Sequence, residues 1–337
     1  MTPKIFITGT TGYTGGDALY TLYHAHPDWE FTALVRNSDR GAPVAAAFPK
    51  VHLVYGTLED AKILEEEAAK ADVVLHTADS SDHEIAARAI ATGLARGHTP
   101  SNPGYWLHLS GTGILCWKDM ESQTYGEAPS QPPTMISTTS HNSPISRTPP
   151  STETSTSSSS PPAPPRSKPP SRQVYNLVRI TLQKGQAPQL GKGLTEWDNV
   201  HVHDLSTLFL LLAERAIAGP ASDDEEIWNE KGYFLAENGH HVWGELSQQV
   251  GAVAFAKGLI PTQEVARMDV EEAKELAGFE AISWGLNSKG VAKRARKYLG
   301  WTPTGRSLRD EIPYIIDEEA RREGLVKGHK EKAAGSA

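Results

Sequence analysis

The chain has 337 residues, a net charge of −8 and one cysteine, Cys116. That length admits one large or two modest domains, and the acidic balance argues against broad polyanion binding, so no nucleic-acid partner is expected. One cysteine excludes an internal disulfide framework and suits a reducing compartment; without an apolar run of about 18 residues or a secretory pattern, a cytoplasmic protein with no membrane span is expected.

Residues 4–8 form a short apolar run that ends in glycines and reads as a first strand. Residues 15–25 place Leu19, Leu22 and Tyr23 at helical spacing and stop before Pro27. Residues 31–35 and 51–55 read as strands, 59–71 as a charged amphipathic helix and 72–76 as a fourth strand. Asp82 is expected to cap a helix running to 96, with Ile85, Ala89 and Ile90 inward. Residues 105–110 read as a fifth strand. The alternation implies a parallel sheet covered on both faces and, with right-handed crossovers, a doubly wound α/β (Rossmann) fold.

Residues 131–170 break this pattern: 11 are Pro, 11 Ser and 7 Thr. Proline removes ladder donors and breaks helices, so the segment is expected to be disordered. It leaves the sheet without its next helix and strand, and a sheet edge uncovered. Three origins stand: a natural insertion, loss of structure in a cofactor-binding regulator, or an out-of-frame translation yielding an inactive product. The third is favoured, because Pro, Thr, Ala and most Ser codons share cytosine at the second position. A shifted frame moves cytosine there from third positions.

Helical spacing resumes at 172–184. Residues 196–203 read as extended, with Asp204 as N-cap of a helix over 205–216. Residues 232–235 are strand-like, 241–256 helix-like, 288–299 a basic helix and 308–323 a last helix. The polar tail, 327–337, is expected to fray.

The sequence TGTTGYTGG at 8–16 sets Gly9, Gly12 and Gly15 three apart, between the first strand and the first helix. Gly9 permits the tight turn, Gly12 lets the backbone approach a pyrophosphate, and Gly15 lets helix pack on strand. The helix N-terminus offers free N–H groups and partial positive charge to the anion. Thr11 and Tyr13 complete the loop. Arg36 ends the second strand, where an acidic residue would bond a ribose hydroxyl and an arginine suits a 2′-phosphate. NADP is therefore favoured as cofactor, with NAD second. The chain divides into a Rossmann dinucleotide-binding part (1–128), the low-complexity segment (129–170), the rest of the sheet with a smaller substrate-pocket region (171–326), and the tail (327–337).

Four further pieces join the glycine loop: DVVLHTAD at 72–79, WLHLSGTGIL at 106–115, WDNVHVHDLS at 197–206 and LGWTP at 299–303. Together they resemble the extended or atypical branch of the short-chain dehydrogenase/reductase superfamily, which includes NAD-dependent epimerase/dehydratase and NmrA-like proteins. The resemblance implies hydride exchange with a small carbonyl or secondary-alcohol substrate, or alternatively a non-catalytic NADP sensor. It places Thr77 and Ala78 along the cofactor ribose, and Thr112, with Ser110 as neighbour, on the substrate oxygen. It puts Trp197, His201 and His203 at the substrate pocket. Thr57 stands where the family often has an Asp near the adenine.

The family's usual chemistry needs a Tyr with a Lys four residues later, the lysine lowering the phenol pKa. No such pair occurs here. Tyr175 has Arg179 at that spacing, but in the helix after the segment, and arginine differs in charge and geometry. His201, His203 and Asp204 fall short of the convergent ligand set a metal requires, so no metal is expected. Lys289, Lys293, Arg294, Arg296 and Lys297 read as a solvated basic face, and His76 as a residue packed at a strand end.

Overall fold

The computed structural model describes residues 2–130, 173–219 and 224–326. Its first half runs β1 (Lys4–Thr8), α1 (Tyr13–Ala25), β2 (Glu30–Val35), α2 (Ser38–Ala47), β3 (His52–Tyr55), α3 (Ala61–Lys70), β4 (Val73–His76), α4 (Glu84–Gly97), β5 (Tyr105–His108), a 3-10 turn (Thr112–Cys116) and α5 (Trp117–Ser122). Then follow α6 (Val174–Lys184), β6 (Ala187–Leu190), β7 (Glu196–Asp198), α7 (Val202–Ile217), α8 (Asp224–Ile227), β8 (His240–Val242) and α9 (Trp243–Ala256). The chain closes with β9 (Val265–Met268), α10 (Val270–Ala277), α11 (Phe279–Ser283), α12 (Lys293–Leu299) and α13 (Leu308–Arg322).

Strands β1 to β5 form one sheet in the order β3-β2-β1-β4-β5, every pairing parallel. The order reverses between β1 and β4, so a crevice opens at their C-terminal ends. Side-chain alternation explains the apolar runs. Ile5 and Ile7 pack with Leu19 and Leu22 of α1 and Leu208, Phe209 and Leu212 of α7. Phe6, Leu34 and Val74 face the other way, onto Leu64 and Ala68 of α3 and Ala86 and Ile90 of α4. Helices α3 and α4 meet backbone to backbone. A Cβ at Gly93 would lie 2.3 Å from the Glu65 carbonyl oxygen, and one at Gly97 2.0 Å from that of Ala69.

The second half has its own core, in which Leu177, Trp243, Trp284, Ile312 and Ile316 are buried together. β6 pairs parallel with β9, and β7 antiparallel with β8. Helix α6 and strand β6 thus follow the segment in chain order, yet β6 joins β9 rather than β5. Among the described residues the outer edge of β5 has no strand partner.

Several local expectations need correction. Helix α2 was not legible, because Gly41 and Pro43 weaken its pattern. It forms because the Asn37 side chain accepts from the Arg40 N–H at 3.0 Å and Gly41 and Val44 bury against the sheet. His83, not Asp82, caps α4, its Nδ1 accepting from the Ala86 N–H at 3.2 Å. His201 caps α7, which starts at Val202 rather than after Asp204. Residues 232–235 form no strand, and the basic helix begins only at Lys293. Arg296 of that helix turns to Glu237 at 2.5 Å, and Arg294 donates to the Lys231 carbonyl at 2.8 Å, so part of the basic face is used within the fold. The Pro/Ser/Thr segment at 131–170 and the tail at 327–337 lie outside the described residues. No helix among the described residues is long and apolar enough to cross a membrane.

Candidate cofactor cradle and active-site cavity

The glycine loop sits at the crevice. Gly9 adopts φ +84°, in the left-handed region that favours glycine. The Gly12 N–H donates to the Gly9 carbonyl at 2.8 Å, closing the turn. Gly12 then serves as N-cap of α1 with no side-chain cap and no acidic residue in the first turn. The helix therefore presents uncompensated N–H groups, as an anion site requires. A Cβ at Gly12 would meet only the Gly9 oxygen, at 3.2 Å, so the loop is open on that side. A Cβ at Gly15 would lie 2.4 Å from both the Gly9 oxygen and Thr77 Oγ1. These features fit a dinucleotide pyrophosphate.

Thr77 buttresses this loop. Its hydroxyl donates to the Thr8 carbonyl at 2.7 Å, and the Ala78 N–H reaches Thr8 Oγ1 at 3.4 Å. His76 is buried at the end of β4, hydrogen-bonded through Nδ1 to the Thr8 hydroxyl at 2.7 Å. Burial holds His76 neutral, pushing its pKa down to about 4, and does the same to His241. The unfolded chain takes up protons on these residues near pH 6.5, the folded chain only near pH 4. Stability should therefore fall as pH drops from about 6.5 towards 4, by up to ~3 kcal/mol per residue. Urea melts at pH 7 and pH 5 read this slope, and His76→Asn should flatten it.

Arg36 is exposed at the end of β2, directly before the start of α2, and makes no ion pair among the described residues. Thr57 does not point to a ligand: its N–H and hydroxyl donate to Asp60 at 2.7 and 2.9 Å, which holds the Asp60 carboxyl below its usual range.

A cavity of about 250 Å³ opens between the glycine loop, the turn after β5, the start of α6, the β7–α7 connection and α13. Tyr13, Thr112, Tyr175, Asp198, His201 and Glu311 are among its lining residues. Thr112 begins its 3-10 turn, and its carbonyl accepts from the Ser288 hydroxyl at 2.9 Å. Ser110 is exposed nearby and is not part of the lining.

Tyr175, set aside on sequence, is brought to the cavity by α6. Its ring meets Tyr13 edge-on at 6.4 Å, and its hydroxyl donates to Glu318 Oε2 at 3.2 Å. Burial raises its pKa well above the usual phenol value, with the neighbouring Tyr13 and the Glu318 carboxylate adding to it. Arg179 turns to Asn176 Oδ1 at 2.9 Å.

The three residues at 197–203 separate. His201 lines the cavity, its Nδ1 accepting from the His203 N–H at 3.2 Å and its Nε2 lying 4.0 Å from Glu311 Oε1. His203 turns outward to Asp17 at 2.5 Å; Asp17 also accepts from the Ser206 hydroxyl, tying α7 to α1. Trp197 is only 4% exposed, donates to the Leu286 carbonyl at 2.6 Å and packs on Trp243. It belongs to the core of the second half and not to the lining.

Sequence reasoning missed the carboxylates. Asp198, Glu237 and Glu311 all line the cavity, and Glu318 stands behind Tyr175. The one available signal was the seven-residue spacing of Glu311 and Glu318, which sets both on one side of α13. Among the described residues no group of three or more His, Cys, Asp or Glu is placed to hold a metal ion.

A parallel five-stranded sheet, a glycine loop at its switch point and a cavity beside that loop are the features of an NAD(P)-binding doubly wound protein. A family model described as NAD(P)H-binding matches residues 9–99. The chain is 35% identical to "Oxidase ucsJ" of Acremonium sp., covering 96% of this chain and 100% of that one. It superposes on the Bordetella bronchiseptica enzyme WbmH in complex with NAD+ with a TM-score of 0.57 and 14% identity, over 96% and 100% of the two chains. It superposes on a dTDP-glucose 4,6-dehydratase of Bacillus anthracis in complex with NAD with a TM-score of 0.53 and 10% identity, over 96% and 98%. The chain therefore belongs to the family of that Acremonium oxidase, carries an NAD(P)H-binding segment and shares the fold of the two solved enzymes.

Proposed function

We propose that the chain is an NADP-dependent oxidoreductase exchanging hydride with a carbonyl or secondary alcohol on a small molecule. The observation that carries this reading is the cavity beside the glycine loop, which brings Tyr13, Thr112 and Tyr175 together. Bound NADP supplies or accepts the hydride. The chain's own residues do the rest. The Gly9–Thr11–Gly12–Tyr13–Gly15 loop holds the pyrophosphate at the start of α1, and Arg36 meets the 2′-phosphate. Thr77 and Ala78 shape the ribose wall. Thr112 orients the substrate oxygen, and His201 stands at the pocket wall. Tyr175 keeps its proton because of burial and Glu318, so it suits donation to a developing alkoxide, the reducing direction.

The experiment is turnover of NADPH with a panel of aldehydes and ketones. Tyr175→Phe should lower kcat by about 10²-fold or more with NADPH binding intact. An unchanged rate would remove Tyr175 from the reaction. Arg36→Asp should weaken NADPH by about tenfold or more, the worth of a charge-assisted phosphate contact, and leave NADH unweakened. Equal affinities of the native chain for NADPH and NADH would refute the role of Arg36.

A second reading, a non-catalytic NADP-sensing protein, is favoured by one observation: Arg179 is engaged by Asn176, and the Arg322 guanidinium, 5.8 Å from the Tyr175 ring, is drawn to Glu318 and Glu319, so among the described residues no lysine pairs with the Tyr175 phenol. NADPH binding without turnover of any carbonyl would select it.

A further inference from the structure

We propose that the cavity recognises a small substrate through a protonated amine and rejects phosphorylated and carboxylated molecules. The inference rests on the reading of this cavity as the substrate site. Three carboxylates line it, Asp198, Glu237 and Glu311, against one guanidinium, that of Arg306.

Among the described residues, Glu237 alone of the three has a cationic side chain within hydrogen-bond distance. Glu237 accepts from Arg296 at 2.5 Å and from the Ala292 N–H at 3.2 Å. Asp198 accepts from the Gly290 N–H, while the neighbouring Lys289 side chain is drawn to Glu196 at 2.5 Å. Burial accordingly pushes the Asp198 carboxyl above its usual range. Glu311 has Arg306 at 3.6 Å and His201 at 4.0 Å, both beyond a direct hydrogen bond. Arg306 itself stands at the rim, its side chain 61% exposed and its guanidinium 4.9 Å from the Tyr314 ring. His241 adds no positive charge at neutral pH, since burial holds it neutral.

A second and independent feature points to the same ligand. Tyr13 and Tyr175 form an edge-on aromatic corner on the wall of the cavity. Aromatic faces attract cationic nitrogen groups through the ring quadrupole, as the Arg322 guanidinium 5.8 Å from the Tyr175 ring already illustrates. An incoming ammonium would add a close cationic partner for Asp198 and for Glu311, whose Arg306 partner stands 3.6 Å away, whereas a phosphate or carboxylate would add repulsion in a poorly screened site. The volume, about 250 Å³, lies below the ~300–1,000 Å³ usual for drug-sized ligands, so the amine-bearing molecule is small. The amine is the anchor; the carbonyl or alcohol that exchanges hydride lies elsewhere on the same molecule.

Calorimetric titration of the full chain, with and without NADP+, tests this with three probes of one shape: benzylamine, benzyl alcohol and benzoate. Benzylamine should bind about tenfold tighter than benzyl alcohol, and benzoate weakest. Glu311→Gln and Asp198→Asn should each bring benzylamine down towards the alcohol, with thermal melts verifying that the variants fold. Benzoate or benzyl alcohol binding as tightly as benzylamine overturns the proposal, as does an undiminished amine preference in both folded variants. The NADP+ titration is separate: an amine preference without NADP+ binding would sink the cofactor reading and leave the amine site standing.

Discussion

Gly15→Ala is expected to lower NADP(H) affinity by about a hundredfold and to cost the fold about 1–3 kcal/mol. The new Cβ would lie 2.4 Å from the Gly9 carbonyl and 2.4 Å from Thr77 Oγ1. Neither neighbour can yield locally. The Gly9 oxygen accepts the Gly12 N–H that closes the loop, and the Thr77 hydroxyl is held on the Thr8 carbonyl at 2.7 Å. Relief therefore displaces the start of α1 from the end of β1. The pyrophosphate then forfeits two charge-assisted hydrogen bonds, each worth about 1.5 kcal/mol, which accounts for the affinity change. Gly12→Ala is the matching control. Its φ of −99° suits alanine and its Cβ meets only one oxygen, at 3.2 Å. That variant should melt like the native chain yet bind NADP(H) poorly, because the methyl occupies the side from which the pyrophosphate approaches. Fluorescence titration and thermal melts on both variants separate the effects. Native affinity in Gly12→Ala would mean the cofactor does not approach through this loop.

Asp204→Ala should cost about 3–5 kcal/mol, the range for breaking a buried charged network. Asp204 is buried, and its carboxylate accepts from the Thr304 N–H at 2.7 Å, the Gly305 N–H at 2.9 Å and the Asn238 amide at 3.2 Å. Its removal orphans these donors in a site too tight for water to enter freely. A Cβ at Gly305 would already lie 2.5 Å from His201 Cβ. The loop so pinned leads directly to Arg306 and Glu311, so the cavity should lose ligand affinity while the glycine loop, held by its own Gly12–Gly9 and Thr77–Thr8 bonds, keeps NADP(H). Urea denaturation measures the first effect and titration of the folded variant the second. A stability loss under about 1 kcal/mol would show that the loop is held by other interactions, such as the Trp301 indole on the Asp204 carbonyl.

The parallel sheet was largely legible because its code is local. β1 to β5 fall within a few residues of their expected places, since alternating burial on a two-faced sheet makes each a short apolar run. The glycine loop was legible because its spacing is itself the geometry. Helix α2 was hidden by Gly41 and Pro43, whose weak propensity is overridden by packing on β2 and β3. Asp204 looked like a helix cap because it precedes an apolar helix. It instead lies inside that helix and binds a loop about a hundred residues away. Tyr175 was passed over because its position relative to Thr112 depends on where the chain re-enters after residue 172.

The resemblance placed Trp197, His201 and His203 together, yet only His201 reaches the cavity. The β7–β8 pairing sends Trp197 into the core, and the first turn of α7 sends His203 to Asp17. Strand and helix periods diverge within that seven-residue stretch, so adjacent letters face different surroundings.

By itself the sequence determined the doubly wound sheet and the tight turn of Gly9, Gly12 and Gly15 before α1, since both rest on short-range periodicity and on glycine's freedom from Cβ. Only the tertiary structure decided what lines the cavity: Tyr13, Thr112, Tyr175 and the carboxylates Asp198, Glu237 and Glu311. Those residues come from distant segments of the chain. Their meeting depends on how α6, α7 and α13 pack, and that packing balances burial against charge across the whole chain.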